Sequence, residues 1–86
     1  MREDQIIKYA LATEKSMRQM EAENKMIFVV DRRATKAQIK SAMERDYGVK
    51  VVKVRTVIST KGKKKAYIQF SEETPAIDVA TKLGLM

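Results

Sequence analysis

The sequence predicts a single small α+β domain in which helices pack on an antiparallel β-sheet. Short runs rich in β-branched and aromatic residues alternate with segments of helical spacing. Two of these runs are close enough to form a hairpin, and 86 residues are enough for one domain only. The predicted order is helix, strand, helix, strand, strand, helix, and the domain covers residues 1–86.

The first part of the chain predicts one helix and one strand. Residues 4–12 are compatible with either a short helical turn or an extended segment. Thr13 can cap a helix over residues 14–23, which Asn24 would end in the left-handed conformation. Residues 26–30 are five consecutive apolar residues, too few for a typical helix, and predict a strand.

A second helix and a long strand follow. Thr35 can cap a helix over residues 36–47, which Gly48 ends. Residues 49–60 alternate between two side-chain sets and predict a half-buried strand. Its predicted inward set is Val52, Val54, Thr56 and Ile58.

The predicted hairpin closes through a basic loop. Residues 61–65 hold four lysines and one glycine, and a second strand follows over residues 66–70. Thr74 and Pro75 then predict the N-cap and the first position of a last helix, which stops at Gly84.

The net charge of +7 is concentrated in the middle of the chain. Residues 32–69 hold twelve basic and two acidic side chains, whereas both flanking segments are slightly negative. This segregation predicts a polyanionic partner, either nucleic acid or an anionic membrane surface. The absence of cysteine and histidine excludes disulfides, thiolate metal sites and the usual acid–base catalyst. We therefore expect a binding module, with no catalytic residue, metal site or cofactor.

The basic residues of this stretch are the candidate contacts. The lysines of the 61–65 loop repel one another unless phosphates neutralise them, although a solvated, mobile loop tip would also explain them. Lys53 and Arg55 share one side of the preceding strand, and Lys36 and Lys40 share one helix face. The predicted nucleic-acid contacts are Arg32, Arg33, Lys36, Lys40, Lys53, Arg55, Lys61, Lys63, Lys64 and Lys65.

The aromatic residues indicate that the protein recognises the shape of RNA and does not read individual bases. Proteins that read single strands combine basic residues with exposed rings that stack bases. Only Tyr67 is a candidate for stacking here, and packing under a helix would equally explain it. The pattern therefore predicts recognition of RNA shape and backbone.

Five segments follow the order and spacing of a known family. They are LATEKSM (11–17), NKMIFVVD (24–31), ATKAQIK (34–40), GVKVVKV (48–54) and KGKKKAY (61–67). Together they resemble the family of large-subunit ribosomal protein number twenty-three, and the short hairpin is similar to the archaeal form. The resemblance implies a structural constituent of the large ribosomal subunit in the cytoplasm, bound to 23S-type rRNA near the polypeptide exit tunnel. The implied partners are ribosomal protein number twenty-nine and exit-site factors such as the signal recognition particle.

The resemblance also assigns roles to individual residues. It makes Glu14 a candidate protein-docking contact and Lys15 a candidate RNA contact, where helix capping alone would explain the Thr-Glu-Lys-Ser segment. Tyr9-Ala10 stands where the family usually has Arg-Pro. Arg55 stands where an asparagine is common, so an asparagine-specific RNA contact does not carry over.

Three other functions remain as alternatives. One is a generic RNA-binding module outside the ribosome. A second is an acyl-phosphate hydrolase on a similar plan, which would need an arginine in a glycine-rich phosphate loop; Arg32-Arg33 has no such glycines. The third is a peripheral membrane protein using the lysine loop, for which the sequence lacks an adjoining apolar face.

Overall fold

The computed structural model describes residues 6–84 and confirms the α+β class, with three helices and one four-stranded antiparallel sheet in that range. The strand order is β1-β2-β4-β3, so β2 and β4 are central and β1 and β3 form the edges. In chain order the elements are β1 (Ile7–Ala10), α1 (Glu14–Glu23), β2 (Lys25–Val30), α2 (Lys36–Tyr47), β3 (Val51–Ile58), β4 (Lys64–Phe70) and α3 (Ala76–Lys82).

Strand β1 resolves the segment that sequence reasoning left open. Three of its four residues pair with β2: Ile7 lies opposite Val30, Tyr9 opposite Val29 and Ala10 opposite Phe28, with a register irregularity between Ile7 and Tyr9. A strand this short carries no clear periodicity, so its partner defines it. Residues 4 and 5 of the ambiguous segment lie outside the described residues. The element order therefore begins with a strand that the predicted order lacks.

One face of the sheet carries the hydrophobic core, and we call it the core face. Alternation directs Phe28 of β2 and Ile68 of β4 to this face, where both are fully buried. The Phe28 ring lies 6.4 Å, centroid to centroid, from that of Tyr47 on α2. All three helices contribute to this core, through Met20, Ile39, Ala42, Met43, Ala76, Val79 and Ala80.

The helix ends predicted for α1 and α2 are confirmed. The Oγ1 atom of Thr13 accepts a hydrogen bond from the backbone N–H of Ser16 at 3.2 Å. Thr35 and Gln38 form a reciprocal capping box. Asn24 ends α1 with a φ of 57° and Gly48 ends α2 with a φ of 63°, as left-handed caps require.

The predicted start of α3 is wrong by one residue. Pro75 occupies the N-cap position without a side-chain cap, and the helix begins at Ala76. The Thr74 hydroxyl does not cap this helix; its Oγ1 accepts from the backbone N–H of Lys50 at 3.2 Å. Asn24 supplies the missing acceptor, since its Oδ1 accepts from the Ala76 N–H at 2.6 Å. A cap contributed from 52 positions away is invisible to local sequence patterns.

The predicted inward set of β3 is wrong at two of its four positions. Val54 and Thr56 are half-buried as expected, but Val52 is 62% exposed and Ile58 is 56% exposed. The register shifts between Val51 and Lys53, which leaves Val52 without a partner on β4. Ile58 is the last residue of an edge strand, next to the turn.

The basic loop is shorter than predicted. The backbone N–H groups of Ser59 and Gly62 bond to the carbonyls of Lys63 and Ser59, at 2.8 and 2.9 Å, and close the turn. Gly62 has a φ of 80°, a conformation that glycine adopts without strain. Lys64 and Lys65 belong to β4 because they pair with Ile58 and Val57 of β3. Their side chains therefore point to opposite faces of the sheet.

The environment of the Tyr47 phenol predicts a loss of stability in alkali. Burial, and secondarily the nearby Asp46 carboxylate, raises the pKa of the Tyr47 phenol above its ordinary value. The folded protein therefore keeps this proton at a pH where the unfolded chain has lost it. We expect the free energy of unfolding to fall above about pH 10, and to fall less in Tyr47→Phe. Urea unfolding of both proteins at about pH 9 and about pH 11 measures this; an equal decline in both would contradict it.

Candidate nucleic-acid interface

The face of the sheet opposite the core carries a concentration of basic side chains, and we call it the second face. Its residues alternate along the strands with those of the core face. Lys53 and Arg55 project here from β3, as the sequence predicted, because Val54 between them packs against the core. The central strands contribute Lys25, Ile27, Val29, Lys65, Tyr67 and Gln69.

Strand register arranges these side chains in rows across the sheet. Tyr67 lies between Ile27 on one side and Arg55 on the other. The adjacent row places Lys65 between Val29 and Val57, and Tyr9 of β1 extends it because Tyr9 pairs with Val29. Each row thus holds one aromatic and one basic side chain among apolar ones, on a surface that a nucleic-acid strand could follow.

Helix α1 converts one end of the second face into a groove of about 360 Å³. Lys15, Gln19 and Glu23 lie one turn apart on α1 and form one wall. The strands supply the remaining lining, which is Lys25, Lys53, Arg55, Val57, Tyr67 and Gln69.

The turn between β3 and β4 borders a second cavity, of about 370 Å³, at the other end of the same face. It is lined by Tyr9 of β1, by Leu11 of the segment after β1 and by Val29 of β2. Ser59, Thr60, Lys61, Lys63 and Lys65 line it from the turn and β4. Lys61 and Lys63 thus extend the basic surface of the groove toward the turn.

The charge of the two cavities is strongly positive. Seven basic side chains line them, and Glu23 is the one acidic residue, with its Oε2 atom 3.8 Å from the Lys25 Nζ atom. Other acidic groups form their ion pairs elsewhere. Glu73 bonds Lys50 at 2.7 Å, and this contact raises the pKa of the Lys50 ammonium and lowers that of the Glu73 carboxyl. The second face is left with a net positive field that attracts polyanions.

The structure brings most of the predicted contacts together. Arg32 and Lys64 line a neighbouring cavity at the β1 edge, together with Tyr9, Val29 and Lys63. The predicted contacts that line the two cavities of the second face are Lys15, Lys53, Arg55, Lys61, Lys63 and Lys65.

Lys64 and three other predicted contacts line neither of the two cavities of the second face. The Lys64 Nζ donates to the Ala34 carbonyl at 2.6 Å, which ties the ammonium to the turn before α2. Arg33 follows β2, and its backbone N–H donates to the Asp31 carboxylate at 2.8 Å. Lys36 and Lys40 are exposed on α2, which packs on the core face.

Glu14 lies outside the basic surface of the second face. It occupies the first turn of α1 and accepts a hydrogen bond from the Arg18 Nη2 at 2.8 Å. Its side chain is 82% exposed, and it lines neither cavity of the second face. The carboxylate therefore remains accessible to a partner other than one on the second face.

Sequence reasoning missed Lys25 and Tyr9 as members of this surface. Lys25 falls between the predicted helix and the predicted strand, although its place two residues before Ile27 puts it on the same face. Tyr9 lies in the segment that the sequence leaves open between a helical turn and an extended strand. Simple alternation from Ile7, which packs against the core, would place Tyr9 on the core face, and the register irregularity between these two residues brings it to the second face.

Between residues 6 and 84 there is no cluster of acidic, histidine or cysteine side chains that could hold a metal ion. No helix in this range is long and apolar enough to cross a membrane.

Comparison with known proteins gives one consistent result. Residues 5–81 match the family described as Ribosomal protein L23. The chain is 48% identical over 81 residues to the large ribosomal subunit protein uL23 of Pyrobaculum aerophilum, which covers 94% of this chain and 100% of the relative. The uL23 proteins of Trypanosoma brucei brucei and Tetrahymena thermophila are 48% and 47% identical over the same length. The chain spans about half of these two relatives, 49% and 54%.

Proposed function

Because this chain belongs to the ribosomal protein L23 family, we propose that it is a structural constituent of the large ribosomal subunit and binds large-subunit rRNA with its second face. One observation carries the proposal beyond family membership. The basic side chains that line the two cavities lie on a single face with one acidic residue among them. Such a surface complements the phosphate backbone of folded RNA.

Charge neutralisation is the proposed mechanism. Lysine and arginine side chains replace the counterions condensed on the RNA, and the released ions favour binding. Arg55 can form two parallel hydrogen bonds with one phosphate, whereas lysines such as Lys53 and Lys65 act as point charges. The protein performs no reaction in this proposal. At Arg32-Arg33, the position considered for a phosphate loop, the Arg33 N–H already bonds to Asp31.

The resemblance supports a more specific location and set of partners. We place the protein in the cytoplasmic ribosome near the polypeptide exit tunnel, next to ribosomal protein number twenty-nine. Glu14 is the proposed docking contact for exit-site factors such as the signal recognition particle. Its exposure outside the second face leaves it accessible while rRNA occupies the basic groups.

The test is binding to large-subunit rRNA against mixed competitor RNA over a range of salt concentrations. With six or more phosphate contacts, affinity should fall by about a thousandfold or more between ~50 and ~200 mM salt. A steep dependence with preference for the rRNA supports the proposal. A steep dependence without preference would instead favour the generic RNA-binding module. Absence of binding would contradict both.

A further inference from the structure

Two tyrosines lie on the second face among the basic groups. Tyr67 is half-buried at the floor of the groove beside α1. Tyr9 is 47% exposed and lines the cavity at the turn. The remaining described aromatic residues, Phe28, Tyr47 and Phe70, belong to the core face or pack against it. The sheet therefore separates its rings into a buried set and a pair directed toward the basic surface.

The spacing of the two rings suits an extended strand of RNA. Tyr9 on β1 and Tyr67 on β4 are separated by two strand spacings across the sheet and by two residues along the strand. This corresponds to roughly 12 Å between their Cα atoms. Lys65 lies in the row of Tyr9, on the strand of Tyr67, and Arg55 lies directly opposite Tyr67. Cationic groups thus flank both rings where a phosphate backbone linking two stacked bases would pass.

Two glutamine side chains line the groove together with the Tyr67 ring. These are Gln19 and Gln69. The Oε1 atom of Gln19 is buried without a hydrogen-bond partner among the described residues, and an unpaired buried acceptor costs free energy. Amide side chains both donate and accept, as the edges of unpaired bases require. The groove volume lies within the range of roughly 300–1,000 Å³ typical of small-ligand sites.

We infer that the second face binds an unpaired segment of RNA, with one base stacked on Tyr67 and another on Tyr9. The inference rests on the proposed rRNA function and specifies the kind of RNA this face takes. It differs from the prediction of recognition by shape and backbone alone. Bases in an RNA helix are stacked on each other and their major-groove edges are inaccessible, so rings on a sheet surface can reach only unpaired bases.

Replacement of either ring tests the inference. The probes are a short oligouridylate and an abasic oligoribonucleotide with the same number of phosphates. Wild-type protein should prefer the oligouridylate, and Tyr67→Leu or Tyr9→Leu should each lower its affinity about fivefold or more. The matched variants Tyr67→Phe and Tyr9→Phe keep the ring and should retain the affinity. No charge changes, so the salt dependence should be the same in all four variants.

Tyrosine fluorescence gives a measurement that does not depend on how well the leucine variants fold. The chain has three tyrosines and no tryptophan. In the double variant Tyr9→Phe, Tyr47→Phe, Tyr67 is the only strong emitter. Stacking should quench its emission on addition of oligouridylate but not of the abasic probe. Equal quenching and equal affinity for both probes would overturn the inference. Steep, selective rRNA binding in the same protein would still leave the proposed function standing.

Discussion

Replacement of Lys53, Arg55 and Lys65 with glutamine in one variant is expected to weaken binding to large-subunit rRNA by about two orders of magnitude at about 0.1 M salt. These residues occupy the strand part of the second face, where register brings them close together. Each lost phosphate contact removes nearly one unit from the slope of log affinity against log salt concentration. Glutamine retains much of each side chain's length, so packing on the strands should change little.

A variant with the same charge change elsewhere is the matched control. Arg18, Lys50 and Lys82 are exposed and line none of the cavities of the second face. Their combined replacement by glutamine lowers the net charge equally, and we expect only a small loss of affinity. Equal weakening by both triple variants would show that net charge, and not this face, determines binding. Lys36→Gln with Lys40→Gln tests separately whether RNA also contacts α2.

Asn24→Gly is expected to lower the free energy of unfolding by about 3 kcal/mol. The Asn24 side-chain Nδ2 donates to the carbonyls of Phe70, Ser71 and Thr74, at 3.2, 3.1 and 3.2 Å. Its Oδ1 accepts from the Ala76 N–H, so one residue both ends α1 and caps α3. Glycine adopts the same positive φ without strain, so this substitution isolates the loss of the side-chain bonds. Urea unfolding at neutral pH measures the change.

Asn24→Asp separates the two roles of this side chain. Aspartate keeps an acceptor for the Ala76 N–H but turns a second oxygen toward carbonyl oxygens that had received a donor. The variant should therefore be destabilised even though the α3 cap is retained. Stability equal to wild type in both Asn24→Gly and Asn24→Asp would contradict the assigned role of this residue as the link between α1, α3 and the end of β4.

The local features of the fold were predictable because each depends on residues close in the chain. Thr13 caps the N–H three residues later, and Gln38 completes the capping box of Thr35 within the same turn. The same is true of the side shared by Lys53 and Arg55, since alternation along one strand determines it. The basic character of the interface follows from composition alone.

The other features of the fold and of the basic surface depend on contacts between segments that are distant in the chain. Tyr9 joins the second face only because β1 pairs with β2, and Lys64 separates from Lys65 only because the hairpin register extends β4 toward the turn. Asn24 caps α3 across 52 positions, a contact that no local pattern contains.

The family, the ends of α1 and α2 and the sign of the charge could be predicted from the sequence. These depend on residue identity and on interactions within a few positions. Which basic side chains share a surface, which tyrosines accompany them and which lysine is tied to the backbone depend on how distant segments pack together. Strand order and register place each side chain on one face or the other, and both arise from contacts between segments far apart in the chain.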